Sequence, residues 1–480
     1  MKPINKSIAW LRNDLRLHDN EVLTVATEKS EFVTVLYCLD PDLFRKNDLG
    51  LAKTGYFRTK FLYESLIDLR ESLTKIGGEL LIKYGKPEKV IPLLCKEYGF
   101  THVFTSKEIA HEEVSAEQKV EAELWKLKIG VSYFWQQTLV HIEDIPFPVN
   151  NLPDIFTQFR KKVEKDTSVR PALPSIKSIK SVSILSDSLP NYEELGLEIL
   201  PEDERKAIDF KGGETEAIKR LNDYFWKGKH LSIYKETRNG LLGENYSSKF
   251  SPWLANGSLS PRYVYQEVKN YEKEVKKNSS TYWLVFELLW RDYFKYVAKK
   301  YGNKLFIKGG IKSDFSQEYS YRPEIFSKWI EGKTGVPFID ANMIELKSTG
   351  FMSNRGRQNV ASFLVKDLKQ PWIYGAAYFE TALIDYDVCS NWGNWNYIAG
   401  VGNDPRENRY FNILSQAKRY DQNAQYIKHW LNELQEVPEQ KAHSVWTLSH
   451  QEQERYRIKL GGHYPLPVIN TSKWEKTLKY

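Results

Sequence analysis

The chain of 480 residues has only three cysteines, Cys38, Cys95 and Cys389, too few and too scattered for a disulfide framework or a zinc site. A reducing compartment follows, and no metal is expected. No apolar run reaches the length that spans a bilayer. The N-terminus carries neither a signal-peptide core nor an Arg/Ser-rich transit segment, so the expected location is the cytoplasm, with no membrane partner. Charge of one sign is also lacking: 69 Lys and Arg stand against 62 Asp and Glu, a net of +7. Any polyanion site must therefore come from local clustering. The glycine fingerprint of dinucleotide-binding sheets, G-x-G-x-x-G after the first strand, is missing too. In its place the chain reads Arg12-Asn13-Asp14-Leu15-Arg16-Leu17-His18-Asp19-Asn20. What the chain has in excess is rings. Its 14 Trp, 29 Tyr and 23 Phe need a large core or stacking surfaces, and its length allows two or three domains.

Between Lys6 and Trp135 the short β-rich runs SIAWLR, FVTVLYCL, ELLIKYG, THVFTS and VSYFW alternate with helical patterns such as Thr54 to Lys75 and Ser115 to Leu127. That alternation predicts a Rossmann-like α/β domain, a parallel sheet with crossover helices. His111, Glu112 and Glu113 follow the fourth run, at the carboxyl-end edge where open α/β sheets hold ligands; a solvated acidic loop capping the next helix is the plainer account of them. From about Pro146 to Ile208 periodicity gives way to Ser, Lys and Pro, with one helical insert, LPDIFTQFRKKVEK. This reads as an ordered linker wrapping the surface. After Gly213 nearly everything has helical character. The expected organisation is an α/β domain over residues 1–135, a linker over 136–208 and an all-α domain over 209–480.

Four stretches carry chemistry. Leu383 to Tyr397, LIDYDVCSNWGNWNY, crowds Asp385, Asp387, Asn391 and Asn396 among Trp392, Trp395 and Tyr397. Buried polar groups need partners, so this run predicts either a large flat heteroaromatic ligand or a satisfied buried polar turn. Tyr246 to Pro252 ends in a Ser-Pro helix start, repeated at Ser260-Pro261; with Ser247, Ser248 and Lys249 beside it, it suits a diphosphate cradle, although such caps are common in ordinary helices. On the helix around Tyr282 to Lys299, Glu287, Trp290, Arg291 and Phe294 are spaced i, i+3, i+4, i+7 and share one face. An acid, an indole and a guanidinium there suit a planar polar ligand, with Arg291 meeting a phosphate; a Glu–Arg pair beside a core Trp is the alternative. The fourth stretch, Gly350 to Asn359, sets Asn354, Arg355, Arg357 and Gln358 at a turn entering a helix.

Taken in order, WLRNDLRLHDN, SSKFSPWLANGSLSPR, FELLWRD, MSNRGRQNVASFLVKD and DYDVCSNWGNWNY resemble the photolyase/cryptochrome flavoproteins essentially end to end. Within that family the chain is most similar to the DASH-type cryptochromes, on the linker helix, Gln358 after Arg357, Tyr397 where conventional dimer photolyases carry a second Trp, FNILSQAKRYDQNAQYIKHWL and the late YPLP.

The resemblance implies one non-covalent FAD in the helical domain. Tyr234, Ser247, Ser248, Lys249, Phe250 and Ser251 match its ribityl and diphosphate segment, with Arg291, Asn354 and Tyr386 as further contacts. Arg357 and Asp385 match the pair at the isoalloxazine, Asp387 its neighbour, and Asn391 the residue facing flavin N5. The implied substrate is a cyclobutane pyrimidine dimer flipped between Trp290 and Tyr397, with Glu287 on its base edge and Arg238, Asn354, Arg355, Gln358 and Gln416 at the entrance or on phosphates. Trp395 and Trp372 match two carriers of a photoreduction chain, whose distal position falls on Tyr319 instead of Trp, with Tyr321 as a possible substitute. Glu113, beside Glu112, matches the acid that holds a folate antenna such as 5,10-methenyltetrahydrofolate. The implied activity is light-driven dimer repair, chiefly in single-stranded DNA, by a monomer. The alternative is an FAD-binding photoreceptor that acts through partners. A (6-4) photolyase would need a His pair where the chain reads Met352-Ser353-Asn354-Arg355.

Overall fold

The computed structural model describes residues 4–316, 318–406 and 409–475. Five parallel strands, β1 (Ile4–Leu11), β2 (Ser30–Leu39), β3 (Leu80–Tyr84), β4 (His102–Ser106) and β5 (Gly130–Phe134), form one sheet in the order β3-β2-β1-β4-β5. The crossovers are α1 (Glu21–Lys29), α2 (Tyr56–Lys75), α3 (Pro87–Tyr98) and α4 (His111–Lys126). Both faces are covered, which is why the strands read as nearly unbroken apolar runs. Side chains alternate across the sheet. Ala9 and Leu11 of β1 pack with Leu66, Leu69 and Leu73 of α2 on one face, while Ile8 and Trp10 pack with Ile91 of α3 and Leu124 of α4 on the other.

After β5 the chain runs through one helix, α5 (Phe156–Asp166), then returns along the α/β layer, where Ile179 N–H donates to Ile76 O and Asp187 N–H to Ile82 O at 3.1 and 2.9 Å. The helical part comprises α6 (Glu214–Asn222), α7 (Tyr234–Thr237), α8 (Ser251–Asn256), α9 (Pro261–Glu274), α10 (Ser279–Tyr301), α11 (Pro323–Ile330), α12 (Pro337–Thr349), α13 (Asn354–Ser362), α14 (Trp372–Ala382) and α15 (Val388–Ala399), with short helices continuing to Glu475. Two cores form here. One gathers α5, α6, α9 and α10; the other gathers α11 to α15 and the C-terminal segments. Helix α15 is their shared wall, since its Cys389 is buried in the first and its Trp395 in the second. Among the described residues no helix is long and apolar enough to cross a membrane, and no His/Cys/Asp/Glu group is arranged to hold a metal.

The loop after β1, which lacks the glycine fingerprint, joins the two halves. Arg16 Nη1 donates to Gly257 O at 2.8 Å, and Arg262 grips Asp19 with two bonds of 2.9 and 2.6 Å. His18 Nε2 accepts from Ser260 N–H at 3.1 Å, which leaves its Nδ1–H for Glu214 Oε1 at 2.6 Å. Gly257 has φ +75 and packs so closely that a Cβ there would lie 1.9 Å from Asn13 O. Only glycine meets both demands.

Candidate functional site

Helices α13, α14 and α15 wall a cleft lined by Asn354, Arg357, Gln358, Asp385, Tyr386, Asp387 and Asn391, with Trp395 and Phe379 at its apolar end. Local rules shape its floor. Helix α14 ends at Ala382, Ile384 N–H donates to Gly350 O at 2.8 Å, and Asp387 caps α15 by accepting from Ser390 N–H at 2.8 Å. The other oxygen of Asp387 lies 2.9 Å from Lys295 Nζ, which also donates to Gln137 Oε1 at 3.1 Å. Burial alone would raise the Asp387 pKa, but the charges of Lys295 and Arg291 outweigh it and hold this carboxyl well below the usual carboxylate range. Arg357 Nη2 donates to Asp385 Oδ2 at 2.8 Å and its Nε to Met352 O at 2.9 Å. Asp385 Oδ1 is buried without a hydrogen-bond partner among the described residues. Asn391 Nδ2 donates to Ala376 O at 3.0 Å, which orients the amide and leaves its oxygen and second N–H for other partners.

A second group lies on the loop before α8. Arg220 collects the carbonyls of Glu244, Ser247 and Ser248 at 3.1, 3.2 and 3.1 Å, fixing a loop that regular structure does not hold. Lys249 takes φ +55, and its side chain is 3% exposed with Nζ 3.3 Å from the centre of the Tyr246 ring. That ammonium has no hydrogen-bond partner among the described residues, and burial pushes its pKa well down. The expected cap geometry differs in one respect. Phe250, already in helical φ/ψ and buried, holds the cap position of α8, so Ser251 lies inside the first turn; Ser260 does cap α9, accepting from Arg262 N–H at 3.1 Å. Tyr234 opens α7 and is buried, which raises its phenol pKa to about 12. Arg291, for which a phosphate was the expectation, donates instead to Gln137 O and Leu254 O at 2.5 and 2.8 Å.

On the far side of α15, Tyr397 meets Trp290 edge to face, with ring centres 6.1 Å apart. Glu287, one turn before Trp290, pairs with Arg238. Tyr397 OH accepts from Arg409 Nη2 at 3.1 Å. Arg355 donates to Gln358 Oε1 and Asn239 Oδ1, both at 2.9 Å, and its guanidinium lies 4.4 Å from the centre of the Tyr420 ring. Asn354 begins α13, and Gln416 sits on the helix Ile413–Tyr420 with a buried Oε1 that has no partner among the described residues.

Residues 7–177 match the family described as DNA photolyase, and residues 283–479 match the FAD binding domain of DNA photolyase. A cryptochrome DASH of Gloeobacter violaceus is 50% identical over 465 residues, 96% of this chain and 93% of that protein. The chain belongs to the photolyase/cryptochrome family. A crystal structure of Synechocystis cryptochrome superimposes with TM-score 0.95 at 47% identity, covering 100% of this chain and 99% of the other. An archaeal photolyase of Sulfolobus tokodaii, solved with two FAD molecules, is 28% identical with TM-score 0.77 over 99% of this chain and 98% of the other. Membership brings an FAD-binding helical domain and a light-dependent function related to DNA.

The side chains fit that cofactor. An unpartnered buried ammonium at Lys249 suits a diphosphate, and an unpartnered carboxylate oxygen at Asp385, beside the Arg357 guanidinium, suits a polar ring edge. The aromatic carriers expected by resemblance lie apart from one another in kind. Trp395 is buried against Phe379 and Trp329, at 5.1 and 6.4 Å, and a Cβ on Gly375 would lie 2.3 Å from its ring. Trp372 is buried beside Trp392 at 5.9 Å and donates Nε1–H to Lys308 O at 3.0 Å. Tyr319 packs half-buried against the second core, and burial raises its phenol pKa well above the usual value. Tyr321, 39% exposed, contacts Tyr374 with ring centres 4.4 Å apart.

At the start of α4 the two glutamates separate. Glu112 is 61% exposed and pairs with Lys53, whereas Glu113 turns inward, where burial first and then the charge of Glu108 raise its pKa to about 7. On another face of α4, Val114 and Gln118, with Ile109 just before the helix, face Ala298, Asn303 and Phe306 across a cavity of about 210 Å³ that Glu113 does not line. Sequence reasoning missed Lys295, Arg220 and Phe156. Lys295 was legible as a lysine one turn past Arg291, between the buried Phe294 and Tyr296. Nothing in sequence ties Arg220 to a loop 24 residues on, and Phe156 stacks on Trp290 from another segment, with ring centres 3.7 Å apart.

Proposed function

We propose that the protein repairs cyclobutane pyrimidine dimers in DNA under blue light, chiefly in single strands. The observation that carries this reading is the division of α15. Its Asp387 and Asn391 face the cleft that contains Arg357 and Asp385, while its Tyr397 meets Trp290 beside Glu287. In this reading residues 1–135 are an antenna domain, 136–208 a linker and 209–480 the repair domain.

Tyr234, Ser247, Ser248, Lys249, Phe250 and Ser251 hold the ribityl and diphosphate of FAD; Arg357, Asp385, Asp387 and Asn391 hold its ring system. FAD, when bound and reduced, supplies an electron on excitation and takes it back once the two carbon–carbon bonds joining the pyrimidines have broken. No side chain acts as nucleophile. Trp290 and Tyr397 receive the flipped dimer, Glu287 hydrogen-bonds its base edge, and Arg238 balances the charge of Glu287. Asn354, Arg355, Gln358 and Gln416 bound the entrance. Asp385 positions Arg357 through their ion pair, and Lys295 fixes Asp387 so that the first turn of α15, with Asn391, is rigid. Flipping a base out of a duplex costs a few kcal/mol that a single strand is spared. A tyrosine wall in place of a tryptophan gives up part of a stacking contact worth about 1–3 kcal/mol, which tilts the balance further toward single strands.

The inward-turned Glu113 supports a folate antenna; a second flavin is the other occupant to test, and extraction of the purified protein with absorption spectra of the extract separates them. The repair reading is tested with dimer-containing oligonucleotides under blue light and a reductant. Dimer-free product is expected, faster from single strands than from duplex; no repair of either rejects it. Glu287→Ala should keep its FAD spectrum and lose repair by about 10-fold or more, the scale of one charged hydrogen bond.

A further inference from the structure

Helix α10 carries more rings than its core requires. Leu284, Val285, Leu288 and Leu289 supply its buried face. Trp283 and Phe286 lie half-buried on the other side, in the stripe that holds Glu287 and Trp290. The rings form a connected series. Trp283 stacks on Phe286 with centres 4.7 Å apart and planes at 18°, Phe286 meets Phe156 at 5.1 Å edge to face, and Phe156 stacks on Trp290 at 3.7 Å and 13°. Cations border the outer end, with Lys235 Nζ 5.2 Å and the Arg238 guanidinium 5.8 Å from the Trp283 ring centre. Lys235 is exposed and forms no ion pair among the described residues. The acids nearby are engaged: Glu236 accepts from Ser280 Oγ at 2.6 Å, Glu164 accepts from Tyr282 OH at 2.6 Å and pairs with Arg160 at 3.4 Å, and Glu287 pairs with Arg238.

We propose that Trp283 and Phe286, with Lys235, form a second nucleic-acid contact: a stacking strip that takes unpaired bases of a single strand next to the Trp290–Tyr397 pocket. Partly exposed rings bordered by cations are the composition of single-strand platforms, which accept any base because every base offers a flat face. Bases inside a duplex have their faces covered, so the strip discriminates between the two strand forms before any lesion is met. Phe156, buried between Phe286 and Trp290, is a positioning residue that holds the strip in line with the pocket. The inference rests on the proposed repair site for its direction, but binding by the strip needs neither light nor a lesion.

The test is fluorescence anisotropy of the holoprotein in the dark with undamaged oligothymidylate, and with a duplex as the comparison. Trp283→Ala and Phe286→Ala should each weaken single-strand binding by about 10-fold while changing duplex binding less than about 2-fold. Trp283→Tyr should restore most of the loss, and Lys235→Ala should reduce the single-strand salt slope by about 0.7. In the repair assay Trp283→Ala should raise KM for single strands and leave kcat unchanged. The flavin spectrum and melting temperature report folding, and Phe286→Ala serves if Trp283→Ala misfolds. Wild-type affinity for oligothymidylate in both alanine variants, or equal loss on single strand and duplex, overturns the strip. A wild-type protein that binds oligothymidylate through these residues but repairs nothing overturns the repair reading alone.

Discussion

Two kinds of short polar run in this chain are packed between buried elements, and they end differently. The loop after β1 buries Asp14, Arg16, His18, Asp19 and Asn20, and each has a partner: Asp14 accepts from Arg12 N–H, Arg16 reaches Gly257, His18 meets Glu214, Asp19 holds Arg262, and Asn20 donates to Arg16 O. The run at α15 and the loop that precedes α8 also bury charge, yet Asp385 Oδ1 and Lys249 Nζ are left without partners among the described residues. A closed network holds two parts of the protein together; an open one waits for something else to complete it. Both were visible in the sequence as clusters of polar residues, and only the state of their hydrogen bonds tells joint from site.

That contrast can be broken from either side. The largest effect is expected at the joint. Asp19→Ala leaves the buried Arg262 without its carboxylate and should cost about 3–5 kcal/mol of stability, read in denaturant melts, while the FAD content of the remaining folded protein is unchanged. At the site the pattern should invert. Asp385→Asn should lower FAD affinity by about 10- to 100-fold, from titration of the apoprotein, and shift apoprotein stability by about 1 kcal/mol or less. Lys249→Met is sharper still, because it removes a buried unpaired charge while keeping the chain length: the apoprotein should melt at a higher temperature, and FAD should bind more weakly. The smallest effect is that of pH. Burial raises Asp292, Glu345 and Glu113 to about 7, so each holds its proton more tightly when folded than when unfolded. Their contribution favours the fold at pH 5 and is lost as pH rises toward 7, so apoprotein stability should fall between pH 5 and 8, with a shallower slope in Glu345→Gln.

The strands, α10 and the linker helix were legible because each carries its own periodicity or an unbroken apolar run. The stretch from Leu383 to Tyr397 stood out because two carboxylates and two amides among three rings have no place in an ordinary core. Residue chemistry alone did not say whether Arg291 meets a phosphate or a carbonyl; it faces Gln137 and Leu254, from two other segments. The start of α8 slipped by one residue because Phe250 is drawn into the core, and burial of a ring outweighs the capping preference of a serine.

The sequence by itself determined the α/β and all-α halves, the absence of a dinucleotide fingerprint, and the segments in which charged and aromatic residues gather, since these follow from local pattern and residue chemistry. Tertiary structure decided the rest. It paired Arg357 with Asp385, set Lys295 under Asp387, stacked Phe156 on Trp290 and turned Glu113 inward while Glu112 stayed in solvent. Such contacts join residues far apart in the chain or divide neighbours between water and core, and they depend on packing that no local window contains.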